Sequence, residues 1–223
     1  MLNHYLPILA VIRAIAPTAH IAGGAVRDTL LEKPIRDVDL FLADAAADEA
    51  ARLLRSKFSY VKVGEWKQYS MFSDPAVERV AKFEKADETI PVCLIGLKPS
   101  YDDCDAPRPR GIKANLARFD FGTCMAAWDG TEVYTAPEYK ADIEQKAFTL
   151  CRADDYAQYA YSMSRFIKMT VDRYVGWHLV VPKRFQNLAK EYALRQTHYQ
   201  DFDTGEWMPR ELVGQQELTP KPR

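Results

Sequence analysis

With 223 residues, 48% of them hydrophobic, the chain is long enough to bury one large core or a medium core with a smaller appendage, which excludes a disordered or fibrous protein. A formal charge of -1 excludes a global attraction to polyanions, so any nucleic-acid binding must come from a local patch. Cys93, Cys104, Cys124 and Cys151 are widely spaced without a C-x-x-C, and His4, His20, His178 and His198 complete no ligand pattern. That excludes a zinc site or disulfide framework and leaves four buried, reduced thiols in a cytoplasmic protein.

Near the N-terminus, Ile8, Leu9, Val11, Ile12 and Ile15 recur at helical spacing until Pro17. Arg13 cuts this run well below the ~20 residues of a membrane span, so it reads as a buried helix and no membrane partner is expected. "HIAGG" reads as a short strand closing on glycines, Ala25 to Leu31 as a helix broken by Pro34, and "DVDLFL" as a strand. "ADAAADEAARLLRSKF" offers Ala50, Leu53, Leu54 and Phe58 to one helix face. "YVKVGEW", "KQYSMFS", "VERVAKFE" and "PVCLIGLK" read as a strand meander.

Pro99 to Lys113, with Asp102, Asp103, Asp105, Pro107 and Pro109, reads as a long exposed loop and a candidate lid. "ARFDFGTCMAAWDG" returns to the core, with Asp129-Gly130 as a turn. From about Ala136 the texture changes: "YAQYAYSMSRFIKMTVDRYVGWHLVV" and "KRFQNLAKEYALRQ" read as longer, aromatic-rich helices. The expected organisation is a head domain over residues 1–135, a helical subdomain over 136–200 and a polar tail over 201–223 with Trp207 as its candidate anchor.

The chemistry concentrates in "IAGGAVRDTLLEKPIRDVDLFL". A strand repeats every second residue, so Asp37 and Asp39 share one face while Val38 and Leu40 pack inward. Two converging carboxylates repel each other unless a cation sits between them, and oxygen ligands suit Mg²⁺ or Mn²⁺ carrying substrate phosphates. Gly23 and Gly24 lack a Cβ and open a helix, where backbone N–H groups can approach a phosphate. Neither a Walker loop nor a dinucleotide fingerprint is present. Alone, a D-x-D is usually a solvated strand edge and a Gly-Gly a turn; Asp28 alone is a helix-dipole residue, and Arg27 and Arg36 surface partners for these acids. Their combination carries the reading.

"GGAVRDTLL" followed by "RDVDLFL" resembles the signature of the DNA polymerase beta nucleotidyltransferase superfamily, in the version of bacterial poly(A) polymerases and CCA-adding tRNA nucleotidyltransferases. "RFDFGTCMAAWDG" is similar to that family's R-R-D-F-T-x-N-A-M stretch, with Phe119 for the second arginine and Cys124 for asparagine. "APEYKADIEQKAFTL" and "SRFIKM" resemble the approach to its neck helices. The resemblance implies an α/β (α+β) fold, a mixed-sheet polymerase beta-like head with a helical C-terminal subdomain. It implies transfer of a nucleoside monophosphate from an NTP to an acceptor hydroxyl, most directly an RNA or tRNA 3′ end. Asp37 and Asp39 would hold Mg²⁺ or Mn²⁺, and Gly23 and Gly24 would bind the triphosphate through backbone amides. Arg27 would lie near the phosphates, Asp28 would support the loop or reach the sugar, and Arg118 and Arg165 would complete the nucleotide contacts.

The superfamily usually presents a third carboxylate on a neighbouring strand, where "PVCLIGLK" carries Cys93. Glu78, Glu84 or Asp120 could substitute, with Asp120 preferred as part of a matching motif; its bland alternative is an ion pair with Arg118. The family's E-D-x-x-R base-reading motif would fall near "YSMSR", leaving Tyr161 and Ser162 in the acid positions, so CCA specificity is not expected. Between Met163 and Arg195 seven basic residues face two acidic ones, with Tyr174, Trp177, Phe185 and Tyr192 interleaved. That surface reads equally as a single-stranded RNA site or as a core whose lysines face water. Nucleotidylation of a small molecule or protein, or NTP binding without catalysis, are the alternative functions.

Overall fold

The computed structural model describes residues 2–67, 76–98, 111–200 and 207–209. Most of the Pro99 to Lys113 loop, all but the first residue of "KQYSMFS", Cys104 and most of the tail lie outside them. A 3-10 turn, Leu2–Tyr5, leads into α1 (Leu6–Arg13), which buries Ile8, Leu9 and Ile12 at helical spacing. β1 (His20–Ala22) is wholly buried and ends at Gly23, whose φ of 81° turns the chain into α2 (Gly24–Leu30). β2 (Val38–Ala43) and α3 (Ala47–Phe58) follow, the helix ending at Ser59 in the left-handed conformation. β3 (Val61–Lys67), β4 (Val77–Lys85) and β5 (Glu88–Leu97) form the meander; α4 (Ile112–Leu116), β6 (Ala126–Trp128) and β7 (Val133–Thr135) complete the head.

Seven strands form one sheet in the order β3-β4-β5-β2-β1-β6-β7. β2 and β5 run parallel and every other neighbouring pair is antiparallel, so the sheet is mixed, as expected. Leu9 and Ile12 of α1 and Ala50 and Leu54 of α3 share one core with Val38, Leu40, Phe83, Val92 and Leu94. Each of the valine, leucine, isoleucine and phenylalanine side chains contributes about 1.5–3 kcal/mol on full burial, which fixes the sheet's phase. The alternate positions Asp39, Val80, Lys82, Cys93 and Ile95 are only half-buried and face the other way.

Beyond the head come α5 (Pro137–Gln145), β8 (Ala147–Thr149), α6 (Tyr156–Asp172), β9 (His178–Val180), α7 (Gln186–Thr197), β10 (His198–Gln200) and β11 (Trp207–Pro209). Asp155 caps α6 by accepting the Gln158 N–H at 2.8 Å. The run expected to stay helical through "VGWHLVV" does not: α6 stops at Asp172, Gly176 adopts a φ of 82°, and β9 pairs in parallel with β8. A glycine in the left-handed region followed by β-branched valines ends a helix and favours a strand. Trp207 stands on β11, which pairs with β10.

A second core holds Phe121, Cys124, Phe148, Leu150, Tyr159, Met163, Tyr174 and Phe185. Phe121 and Cys124 precede residue 136, so the C-terminal region shares its core with the head. Of the two readings of the C-terminal aromatics, this core favours the packed one. Tyr174 and Phe185 are buried, and Trp177 and Tyr192 pack against them, because Phe148 draws Tyr174 and Trp177 into a ring cluster with centroids 5.4–5.5 Å from its own. The thiols are corrected in degree: Cys124 is buried, whereas Cys93 and Cys151 are half-buried, all three free. No helix among the described residues is long and apolar enough to cross a membrane.

Candidate functional site

The half-buried face of the sheet opens onto a cavity of about 700 Å³, walled on the far side by α6. Asp37, Asp39, Asp120, Gly24, Arg27, Asp28, Arg118, Arg165 and Cys93 all line it. Asp39 sits on β2 directly opposite Cys93 of β5, and Asp37 stands exposed just before the strand. Burial first, then the charge of Asp37, pushes the Asp39 carboxyl up to about 7, with Arg165 acting in the opposite direction. Two acids on one wall thus repel each other, and the chain compensates that repulsion only in part.

Gly23 does not join them. Its N–H donates to Ala126 O at 2.9 Å, so this amide belongs to the sheet and is not available to a phosphate. The residue is glycine because its φ is positive and a Cβ would lie 3.0 Å from Phe119 Cε1. Gly24 is different: it lines the cavity, and a Cβ there would meet only Arg27 Nη2, at 3.6 Å. Its N–H belongs to the first turn of α2, where no intrahelical acceptor exists.

Arg27 and Asp28 face inward and are 3% and 2% exposed, too little for a surface pair. Arg27 Nε donates to Asp28 Oδ1 at 2.8 Å, Nη2 lies 2.8 Å from the same oxygen, and Nη1 contacts Met169 Sδ at 3.4 Å. Asp28 also accepts from Tyr174 Oη and lies 2.8 Å from Arg173 Nη2. Of the two expected roles for Asp28, loop support is the one its partners allow, since both oxygens are held by protein.

Asp120 takes its ion pair from α6: Arg165 Nη1 donates to Oδ1 at 2.6 Å and Ser162 Oγ to Oδ2 at 2.9 Å. The ion pair that was the bland alternative for Asp120 is thus present, made with a residue 45 positions along the chain. The Asp120 carboxylate in turn raises the Arg165 guanidinium further above its ordinary range. Glu78 and Glu84 are outside the cavity lining, paired with Lys98 at 3.5 Å and Lys82 at 2.6 Å. Sequence reasoning missed Trp66, Val80, Lys82 and Ile95, which share the wall with Asp39. The period of "VERVAKFE" was the available signal, but it does not say which of the two faces meets the core.

The donor set fits a hard divalent cation. Asp37 and Asp39 supply oxygens, and their mutual repulsion is what a cation relieves. Burial and the charges of Asp39 and Asp37 push the Cys93 thiol up to about 12, so at neutral pH it adds no negative charge. Among the described residues no group of three or more His, Cys, Asp or Glu is placed to hold a metal, so remaining ligands would come from substrate and water.

The family model of the poly A polymerase head domain matches residues 19–93, from the approach to β1 through Cys93. No curated protein matches the chain. Among solved structures it resembles a Bacillus stearothermophilus CCA-adding enzyme in complex with CTP, with TM-score 0.55 and 16% identity over 86% of this chain and 44% of that one. A tRNA nucleotidyltransferase complexed with a primer tRNA and an incoming ATP analog gives TM-score 0.51 and 18% identity over 85% and 50%. A Thermotoga maritima CCA-adding enzyme complexed with tRNA(CCA) gives 0.50 and 17% over 86% and 44%. The chain spans about half the length of the structures it matches. At these identities the likeness is one of fold. Sequence profile and fold agree on a head domain resembling that of poly(A) polymerases and CCA-adding enzymes.

Proposed function

We propose that this chain, built on a polymerase beta-like nucleotidyltransferase head, moves a nucleoside monophosphate from an NTP to an acceptor hydroxyl, with an RNA 3′ end as acceptor. The observation that carries this is the convergence of Asp37 and Asp39 on a cavity that also holds Gly24, Arg118 and Arg165. The nucleotides and tRNA in the names of the structurally similar enzymes support an NTP donor and an RNA acceptor.

The acceptor hydroxyl gives up its proton to water as its oxygen bonds to the α-phosphorus, and the bond to the departing pyrophosphate breaks in line with it. Mg²⁺ or Mn²⁺ held by Asp37 and Asp39 would neutralise the phosphates and stabilise attacking and leaving oxygens. The residues of the chain position and screen. The Gly24 amide and Arg118 meet the triphosphate, and Arg165, held from behind by Asp120, directs its remaining donors at the nucleotide. On this reading Asp120 is a positioning residue and not the third acid for which it was preferred, since Arg165 and Ser162 hold both of its oxygens.

Cys93 favours a second reading, NTP binding without transfer, because a neutral thiol faces Asp39 where the superfamily presents an acid. One experiment separates the two. The chain is incubated with Mg²⁺, each labelled NTP in turn and total RNA, alongside the Asp37→Ala, Asp39→Ala double variant. Labelled RNA with the unaltered chain only supports transfer to RNA. Metal-dependent NTP binding without pyrophosphate release from any acceptor supports the second reading, and label on a small molecule or protein replaces the acceptor.

A further inference from the structure

Two neighbouring rows of cross-strand partners run over the open face of the sheet. One is Gly64–Lys82–Cys93–Asp39, each residue paired with the next across β3, β4, β5 and β2. The other, two residues further along each strand, is Trp66–Val80–Ile95–Phe41. Two residues advance a strand by about 7 Å, so an apolar row lies immediately beside the row that carries Asp39. An antiparallel sheet face that opens to water ordinarily carries polar side chains. Here Val80, Ile95 and Trp66 line the cavity, and Trp66 is 46% exposed.

The indole leans toward the catalytic row. Three atoms of its six-membered ring lie 2.8–3.4 Å from where a Gly64 Cβ would be, so any larger residue at 64 would displace the ring. Gly64 thus lets the indole lie down over β3. Trp66 is three strands from β2, about 14 Å at the usual strand spacing, a reach that suits the last two units of a chain-like substrate.

We infer that this row is the acceptor subsite, on which the terminal bases of a single-stranded RNA 3′ end stack, Trp66 carrying the outermost. The inference rests on the nucleotidyl-transfer reading. In-line displacement requires the attacking hydroxyl to approach opposite the departing pyrophosphate. The sheet order puts the glycine turn after β1 on one side of Asp39 and β5, β4 and β3 on the other. A triphosphate on the glycine side therefore leaves the apolar row as the approach for the acceptor. Every base offers a π-face, so an aromatic and aliphatic platform holds a single strand without reading its sequence.

The test uses the full chain, a fluorescent single-stranded RNA decamer, and the same decamer lacking its last two bases. Trp66→Ala should raise the Kd and KM for intact RNA by roughly 5- to 100-fold, with the KM for NTP unchanged and Trp66→Phe restoring most of the loss. The baseless decamer should bind the unaltered chain and Trp66→Ala alike. Unchanged RNA affinity in Trp66→Ala, or an equal loss for both decamers, overturns the platform. An unaltered chain that binds NTP and labels another acceptor but binds no RNA also overturns it, leaving nucleotidyl transfer intact. Failure to bind NTP at all removes the reading and the platform together.

Discussion

Asp28 and Asp39 line the same cavity, the first buried and the second half-buried, yet their surroundings are opposite. Asp28 is closed by its own chain: Arg27, Arg173 and the Tyr174 hydroxyl hold both oxygens. Asp39 has Asp37 and the Cys93 thiol as neighbours, with only the more distant Arg165 to favour its charge. An acid neutralised by protein groups belongs to the architecture, whereas one held against a like charge is stable only when something arrives from outside. The two sites should therefore respond in opposite senses to loss of the carboxylate.

The largest effect is expected from Asp37→Ala, Asp39→Ala: nucleotide transfer should fall roughly a thousandfold, the rate equivalent of about 4 kcal/mol, while Tm stays level or rises because a repulsion is removed. A fall in Tm would erase the contrast with Asp28. Asp28→Ala should do the reverse in kind, destabilising the chain by about 3–5 kcal/mol in urea unfolding because buried guanidinium groups lose their counter-ion.

His20 supplies an intermediate case, a titratable group kept neutral. Its Nδ1 donates to Thr18 O at 2.8 Å and its Nε2 accepts from Asn115 at 2.9 Å, and burial lowers its pKa to about 4. Above pH about 6.5 both folded and unfolded states are neutral there; between about 6.5 and 4 only the unfolded state takes the proton. Stability should then decline by about 3 kcal/mol as pH falls across that window, and no further from this group below it. His20→Gln should show a shallower decline in urea midpoints measured from pH 7 to 4. The smallest change is Tyr174→Phe, about 2 kcal/mol for one hydrogen bond to a buried carboxylate, with transfer unaffected beyond that loss of stability. A large selective drop in kcat would instead make the Asp28 cluster part of the chemistry.

The glycine turn, the shared face of Asp37 and Asp39 and the pairing of Cys93 beside them were legible because each follows from local period and register. The partner of Asp120 was not, since nothing local links "RFDFG" to a residue on α6. Gly23 was misread for a related reason: a glycine needed for a turn looks the same in sequence as one needed for a ligand, and only the bond to Ala126 separates them. The C-terminal aromatics were ambiguous because tyrosine and tryptophan serve equally as core and as stacking surface, and Phe148 decides the matter. The fate of the candidate lid falls outside the described residues.

Arg173 and Tyr174 follow α6 directly, yet they reach back to Asp28, while Lys33 Nζ donates to Arg173 O at 2.9 Å and Arg173 donates to Pro34 O. These stitches tie the end of the long helix to the glycine turn it overlooks. A jaw-like swing of α6 away from the sheet would strip Asp28 of a cation at a cost of about 3–5 kcal/mol. The aperture between them is accordingly braced, and widening it costs the chain an ion pair.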